Sequence, residues 1–140
     1  GDKGELKFQP KLVAAGYHQN RLLVLLGIQA EELQAKRLLA SFDRFRGREA
    51  TPKPPIHDSA RRWLRDTYHH VMNQVPRELQ DRVEQAQMFH EILEHRWYLG
   101  EQAGHDLGLD FATKDYIENI LPFRTYVGVT VPGIHEPPSK

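Results

Sequence analysis

The sequence lacks several features that would by themselves identify a function. It contains no cysteine among its 140 residues, which excludes disulfides, thiolate nucleophiles and cysteine-ligated zinc. Lys plus Arg and Asp plus Glu number 19 each, so the balanced charge provides no general attraction to nucleic acid or to an anionic membrane. The longest apolar run, Leu22 to Ile28, is too short to span a bilayer. The opening residues GDKGELK lack the apolar core of a signal peptide. We therefore expect a cytoplasmic protein with no membrane and no nucleic-acid partner.

Helical periodicity dominates the middle of the chain. Apolar residues recur at helical spacing in one segment after another, and the first such face consists of Leu33, Leu38, Leu39, Phe42 and Phe45. Gly27 is a natural stop for the helix before this face. The expected fold is mainly α, a compact bundle of about five helices, with short β-strands as a further option at the N- and C-terminal ends.

Proline marks the expected boundaries within the chain. We predict a single helical domain over residues 1–131, with a Pro-rich linker at 47–57 inside it. Asp58 or Ser59 then offers a side-chain cap for the following helix. Residues 132–140 should form a flexible tail.

The longest predicted helix runs from Gln85 to Leu107 without a break. With successive residues about 100° apart, its apolar residues cover an arc of about 160°, which is the expected core face. Gly100 and Gly104 lie on that face, where the missing side chains would let another helix approach closely.

Arg96 projects into the middle of the same face. Because a buried unpaired charge is costly, we expect Arg96 to pair with a carboxylate; Asp43, Glu78 and Asp115 are the first partners to consider. The alternative is that its stem carries the guanidinium to the surface. In either case Arg96 should determine how the helix docks.

A stripe of imidazoles and carboxylates borders the core face. His90, Glu94, Glu101 and His105 fall within about 60° of one another, and the pairs at i,i+4 spacing could occupy two positions of a metal shell. The di-iron Glu-x-x-His pattern is absent, and HEILEH does not match the zinc-protease motif. The favoured interpretation is therefore structural, with no cofactor. A metal site of His90, Glu94, Glu101 and His95 is the weaker alternative.

Several further residues are candidates for structural or interaction roles. Tyr17, His18 and Arg21 lie near a predicted helix start, where backbone donors could meet an anion, although capping and packing explain them equally well. Trp63 and Trp97 could provide docking surfaces. An arginine-rich region is the one candidate for a nucleic-acid surface; it comprises Arg44, Arg46, Arg48, Arg61, Arg62 and Arg65.

Four segments together resemble a known family. These are PKLVAAGYHQNRLLVLLGI, AEELQAKRLLASFDRF, FHEILEHRWYLGEQAGHDLG and KDYIENILP, and the resemblance covers about Leu6 to Pro122. The family is a bacterial, mainly actinobacterial, domain of unknown function that follows lipopolysaccharide-kinase-like domains of the Kdo/WaaP type. The resemblance implies one module of a larger protein, with a kinase-like part upstream, and it supplies no catalytic residues.

Two positions depart from the pattern of this family. Gly100 stands where the family more often has serine, and His105 where it more often has arginine. Since arginine does not ligate metal, this difference weakens the metal alternative. We expect a non-catalytic accessory or interaction module that binds an adjoining kinase-like domain or a second copy of itself.

Overall fold

The computed structural model of the chain describes residues 16–125. Within these residues the secondary structure is helical and contains no strand, which confirms the prediction of a mainly α fold. The strands expected at the two ends, and the tail expected at 132–140, lie outside the described residues. Between residues 16 and 125, no helix combines the length and the apolar character needed to cross a bilayer.

Six α-helices occur in the described residues. They are α1 (Tyr17–Leu26), α2 (Glu32–Gly47), α3 (Ile56–Trp63), α4 (His69–Met72), α5 (Gln85–Ala103) and α6 (Leu109–Asn119). A π-helical turn at Leu64–Tyr68 joins α3 to α4, so the two form one continuous helical run. Counted in this way, the described residues contain five helices, as expected. Short 3-10 turns lie at Arg77–Leu79 and Leu121–Phe123.

The chain divides into two compact units, Gly1–Arg65 and Asp66–Lys140. The division falls inside the π-helical turn. That residues 1–131 form a single domain stays a prediction.

The first unit is built from α1, α2 and α3, which pack against one another. Phe42 of α2 meets Trp63 of α3 edge-on, with ring centroids 6.2 Å apart, and both side chains are fully buried. Such an edge-to-face pair contributes roughly 0.5–1.5 kcal/mol beyond the area it buries. Leu22 and Leu26 provide the buried side of α1. Gly27 ends α1 in the left-handed conformation, with φ +71°, which confirms the predicted stop.

The linker is shorter and better anchored than the sequence suggests, because α2 continues to Gly47 and α3 begins at Ile56. The Arg46 guanidinium donates to the Pro54 carbonyl and to the Ser59 hydroxyl, both at 2.8 Å. Lys53 donates to the Gly47 carbonyl at the end of α2, at 3.1 Å. The prediction that Asp58 or Ser59 caps α3 is wrong, because the helix starts at Ile56. Ser59 is instead buried inside α3.

The second unit places α5 between α4 and α6. The rings of Tyr68 and Phe89 pack together, with centroids 5.2 Å apart. Arg82 holds the chain beyond α6, since its Nη1 donates to the carbonyls of Pro122 and Arg124 at 2.7 and 3.0 Å.

The long helix α5 ends at Ala103, four residues before the predicted end at Leu107. Gly104 follows it with φ +83°, a left-handed conformation that glycine adopts without steric cost. Gly104 therefore terminates the helix, contrary to the prediction that its missing side chain would let a neighbouring helix approach. A side chain at Gly100 would lie 3.4 Å from the His105 carbonyl oxygen and 3.6 Å from the Asp106 Cα. The backbone that approaches Gly100 is thus the segment that follows its own helix.

Candidate functional site

The predicted stripe of α5 does not form one site. His90 is 6% exposed, and its Nε2 lies 3.5 Å from a carboxylate oxygen of Glu94, whose side chain is 49% exposed. Glu101 is exposed, and His105 lies beyond the end of the helix. Nowhere in residues 16–125 do three or more imidazole, thiol or carboxylate side chains come together as they would around a metal ion. The geometry therefore gives the metal alternative no support.

His95 is directed toward α6 and away from the other members of the stripe. Its Nε2 lies 2.6 Å from an Asp115 oxygen, and Asn119 donates to the other oxygen at 2.9 Å. The His95 ring is stacked with the Tyr98 ring, with centroids 6.3 Å apart, and it is tilted against the Tyr116 ring, with centroids 6.4 Å apart. These contacts hold the imidazole between two helices of the unit.

Glu91, one turn before His95, is the centre of a second polar cluster. Its carboxylate accepts hydrogen bonds from the Tyr116 hydroxyl at 2.6 Å and from Gln87 at 2.7 Å. Arg124 adds a bidentate pair, with Nε at 3.1 Å and Nη2 at 2.5 Å. Only 15% of the Glu91 side chain is exposed. Burial raises the pKa of Tyr116 above its usual range, and the nearby Glu91 carboxylate raises it further.

We call these two clusters together the polar seam, because they join α5 to α6 and to the 3-10 turn after it. Its members are Gln87, Glu91, His95, Asp115, Tyr116, Asn119 and Arg124. The carboxylates of Glu91 and Asp115 are each held by at least two partners, which is the arrangement that stabilises a polar network; 15% of the Glu91 side chain and 29% of the Asp115 side chain are exposed. The seam therefore positions helices, and its geometry does not require a substrate.

Glu91 and Arg124 were not among the residues predicted from the sequence. The available signal was the spacing of Gln87, Glu91 and His95 at i, i+4 and i+8, which places three polar side chains on one face of α5. That face is adjacent to the apolar arc, so its residues could be assigned to the solvent side or to a neighbouring helix. Only the position of α6 decides between the two.

Arg96 pairs with Asp106, which was not among its three expected partners. The contact is bidentate, with Nε–Oδ1 at 2.9 Å and Nη2–Oδ2 at 2.6 Å, and the Gly108 N–H also donates to Asp106 at 3.0 Å. The Arg96 guanidinium, followed by the Gly108 N–H, holds the pKa of Asp106 well below its usual range. Arg96 thus anchors the loop between α5 and α6 at a partly exposed position.

Of the three candidate residues at the start of α1, only His18 takes part in a cap, which Glu32 of α2 provides. The Glu32 carboxylate accepts the His18 imidazole Nδ1 at 2.5 Å and the backbone N–H of Gln19 at 3.0 Å. Burial opposes ionisation of Glu32, but the bonds from His18 and Gln19 outweigh it and lower the pKa of this carboxyl. Tyr17 and Arg21 lie on the exposed side of the helix. The cluster therefore ties α1 to α2 through a carboxylate of the protein itself.

Several arginines of the proposed basic region are engaged within the first unit. Arg62 binds Glu49 through two nitrogens at 2.9 and 2.6 Å, and the Ser59 hydroxyl donates to the same carboxylate at 2.5 Å. Ser59, followed by Arg62, lowers the pKa of Glu49. Arg61 pairs with Asp58. Because Arg61 and Arg62 are paired with carboxylates of the protein itself, their charge is partly neutralised, and this does not favour phosphate binding.

The two tryptophans have opposite environments. Trp63 is fully buried, so it offers no docking surface and serves the core. Trp97 is 67% exposed, and its neighbour Tyr98 is 52% exposed. Together with Glu94 and Glu101 they form what we call the aromatic–acidic face of α5.

Within the described residues, the fold and these sites define a mainly helical chain whose polar clusters are bonded internally and whose longest helix exposes Trp97 and Tyr98. The family model described as Domain of unknown function (DUF4032) matches residues 1–121, and the chain belongs to this family. No curated protein and no solved structure matches the chain. Arg124, which closes the polar seam, lies just outside the matched residues.

Proposed function

We propose that this chain is a non-catalytic interaction module that binds a neighbouring folded domain through the aromatic–acidic face of α5. The observation that carries the proposal is the exposure of Trp97 and Tyr98 side by side. Tryptophan and tyrosine are over-represented among the residues that dominate binding energy at protein interfaces. A single exposed aromatic residue is unremarkable on a protein surface, but two adjacent ones on the longest described helix provide a continuous anchor.

The internal pairing of the other α5 residues supports this choice of surface. Glu91 is held by Tyr116 and Arg124, and Arg96 is held by Asp106. Both charged groups are engaged by the protein's own structure, which makes α5 a rigid support. A preorganised surface loses little conformational entropy on binding.

The proposed partner is a kinase-like domain upstream in a larger bacterial, cytoplasmic protein. This part of the proposal rests on the resemblance of the segments from Leu6 to Pro122 to modules that follow lipopolysaccharide-kinase-like domains. An accessory module of this kind would position or regulate the catalytic domain. Self-association through the same face is the alternative outcome of the test.

The proposal is tested by measuring binding of the purified chain to the separately purified upstream domain. The double variant Trp97→Ala, Tyr98→Ala should weaken binding by at least tenfold, because truncating an interface anchor typically costs about 2 kcal/mol or more. Val24→Ala is the matched control, since Val24 is 71% exposed on α1 of the first unit and should leave the affinity unchanged. Circular dichroism checks that the helices of each variant are intact.

Two results would contradict the proposal. One is an affinity that the double variant does not change; the other is the absence of any complex or cross-link between the chain and the upstream domain. Sedimentation of the chain alone, with and without the double substitution, would reveal binding to a second copy.

A further inference from the structure

We infer that the aromatic–acidic face of α5 recognises an amphipathic basic helix of its partner, with Lys or Arg at one-heptad spacing on either side of an apolar centre. This inference rests on the proposed function and adds the chemistry of the partner. It follows from how four side chains are arranged on one helix. The arrangement, the exposure and the charge of these residues each contribute a separate constraint.

The arrangement is a compact diamond. Glu94, Trp97, Tyr98 and Glu101 occupy positions i, i+3, i+4 and i+7 of α5, so each ring is one turn away from both carboxylates. Residues at these spacings have Cβ atoms roughly 5–6 Å apart. The aromatic rings thus form the centre of the face, and the carboxylates lie at its two ends.

The position of this diamond at the surface is unusual for its spacing. The i, i+3, i+4, i+7 pattern is the stripe through which an amphipathic helix normally contacts another element. On α5 this stripe is open to solvent, since Trp97 and Tyr98 are more than half exposed and Glu101 is exposed as well. A second helix packed along the stripe would cover both rings by the ordinary packing of side-chain ridges into grooves.

The charge of the face selects the partner. α5 carries three glutamates against one arginine; Glu91 is paired with Arg124 and Arg96 with Asp106. Within the described residues Glu101 is exposed and makes no ion pair, whereas Glu94 lies 3.5 Å from His90 Nε2 and has a side chain that is 49% exposed. Each end of the diamond therefore presents a carboxylate that is open to solvent and that a cation of the partner can approach. A cation placed there also lies about one helical turn from Trp97 and Tyr98, within reach of a cation–π attraction.

The spacing of the carboxylates sets the spacing of the cations. Seven residues at 1.5 Å each separate Glu94 from Glu101 by about 10.5 Å along the helix axis. A partner helix presents residues at the same separation when they are one heptad apart. Charged residues that flank an apolar seam determine partner choice in coiled coils by the same geometry.

The probe for this inference is a synthetic 21-residue helical peptide with leucine along one face and two arginines, one heptad apart, beside it. A second peptide carries glutamine in place of both arginines. Binding to the full 140-residue chain is followed by the fluorescence of Trp97, which peptide contact can reach, whereas Trp63 is buried. The arginine peptide should bind roughly two- to thirtyfold more tightly than the glutamine peptide, as expected for two exposed ion pairs.

Variants of the chain separate local recognition from general attraction. Glu94→Gln with Glu101→Gln should remove the preference for arginine, whereas Glu118→Gln, at an exposed carboxylate on α6, should retain it. The preference should also weaken as salt is raised.

Equal binding of the two peptides, no binding of either at millimolar concentration, or equal loss in the Glu118 control would overturn the inference. Any of these peptide results leaves the proposed function intact when the upstream domain still binds the chain and this binding depends on Trp97. Conversely, when the arginine peptide is still preferred but the upstream domain does not bind, the proposed function is overturned.

Discussion

The hydroxyl group of Tyr116 provides the sharpest test of the polar seam. Tyr116 is fully buried and donates to the Glu91 carboxylate at 2.6 Å. Tyr116→Phe removes this one bond and keeps the ring, so the substitution leaves no large cavity. Glu91 retains Arg124 and Gln87 as partners.

The expected loss of stability follows from the charge of the acceptor, the Glu91 carboxylate. A hydrogen bond to a charged group contributes about 1.5–3 kcal/mol net, and the remaining partners of Glu91 place the effect near the lower end. We expect Tyr116→Phe to lower the free energy of unfolding by about 1.5 kcal/mol. Tyr98→Phe is the matched control, because that ring is 52% exposed and a surface change of this kind is worth less than about 0.5 kcal/mol.

Urea denaturation followed by circular dichroism measures both substitutions. A double-mutant cycle with Glu91→Gln isolates the Tyr116–Glu91 interaction and should give a coupling energy of about 1 kcal/mol. The reasoning is refuted when Tyr116→Phe is as stable as the Tyr98 control, or when the cycle shows no coupling.

Three further predictions concern other parts of the molecule and use the same denaturation assay. Gly100→Ala should raise the free energy of unfolding by about 0.5–1 kcal/mol, since the added Cβ would make ordinary contacts in a helix interior. Gly104→Ala should instead lower it by about 1 kcal/mol, because Gly104 has φ +83°. A loss of stability in both variants would contradict the placement of Gly100 inside α5 and of Gly104 at its end. Ser59→Ala should cost about 1–3 kcal/mol, because Arg46 and Glu49 lose a buried partner, and a neutral effect would show that the linker does not depend on it. Burial raises the pKa of Tyr68 to about 12, so the contribution of Tyr68 to stability should be complete below about pH 10 and should decrease above it by up to about 1.4 kcal/mol per pH unit; a Tyr68→Phe variant whose alkaline decline is as steep as that of the unsubstituted chain would contradict this cause.

The helices were predictable because their signals are local. The spacing of Leu38, Leu39 and Phe42 defines one face of α2 within two turns, and Gly27 marks a helix end through its own backbone freedom. The end of α5 was placed four residues too late, at Leu107, because Gly104 can either continue a helix or terminate it. Its left-handed conformation depends on the loop that Arg96 and Asp106 hold in place.

The candidate sites depended on information that a helical wheel does not contain. A wheel gives the direction of a side chain but not what lies opposite it, so Trp63 and Trp97 looked equivalent as surfaces although one is buried and the other exposed. The partner of Arg96 was misassigned for the same reason, since Asp106 becomes its nearest carboxylate only after the chain turns beyond Ala103.

The amino-acid sequence by itself determined the class of fold and the family, since both reside in short-range periodicity and in recognisable segments. The tertiary structure alone decided that Glu91 lies in a buried seam while Glu101, ten residues later on the same helix, faces solvent. The physical reason is that burial depends on neighbours from distant parts of the chain. α6 and Arg124 cover the Glu91 part of α5, whereas Trp97 and Tyr98, farther along the same helix, stay more than half exposed.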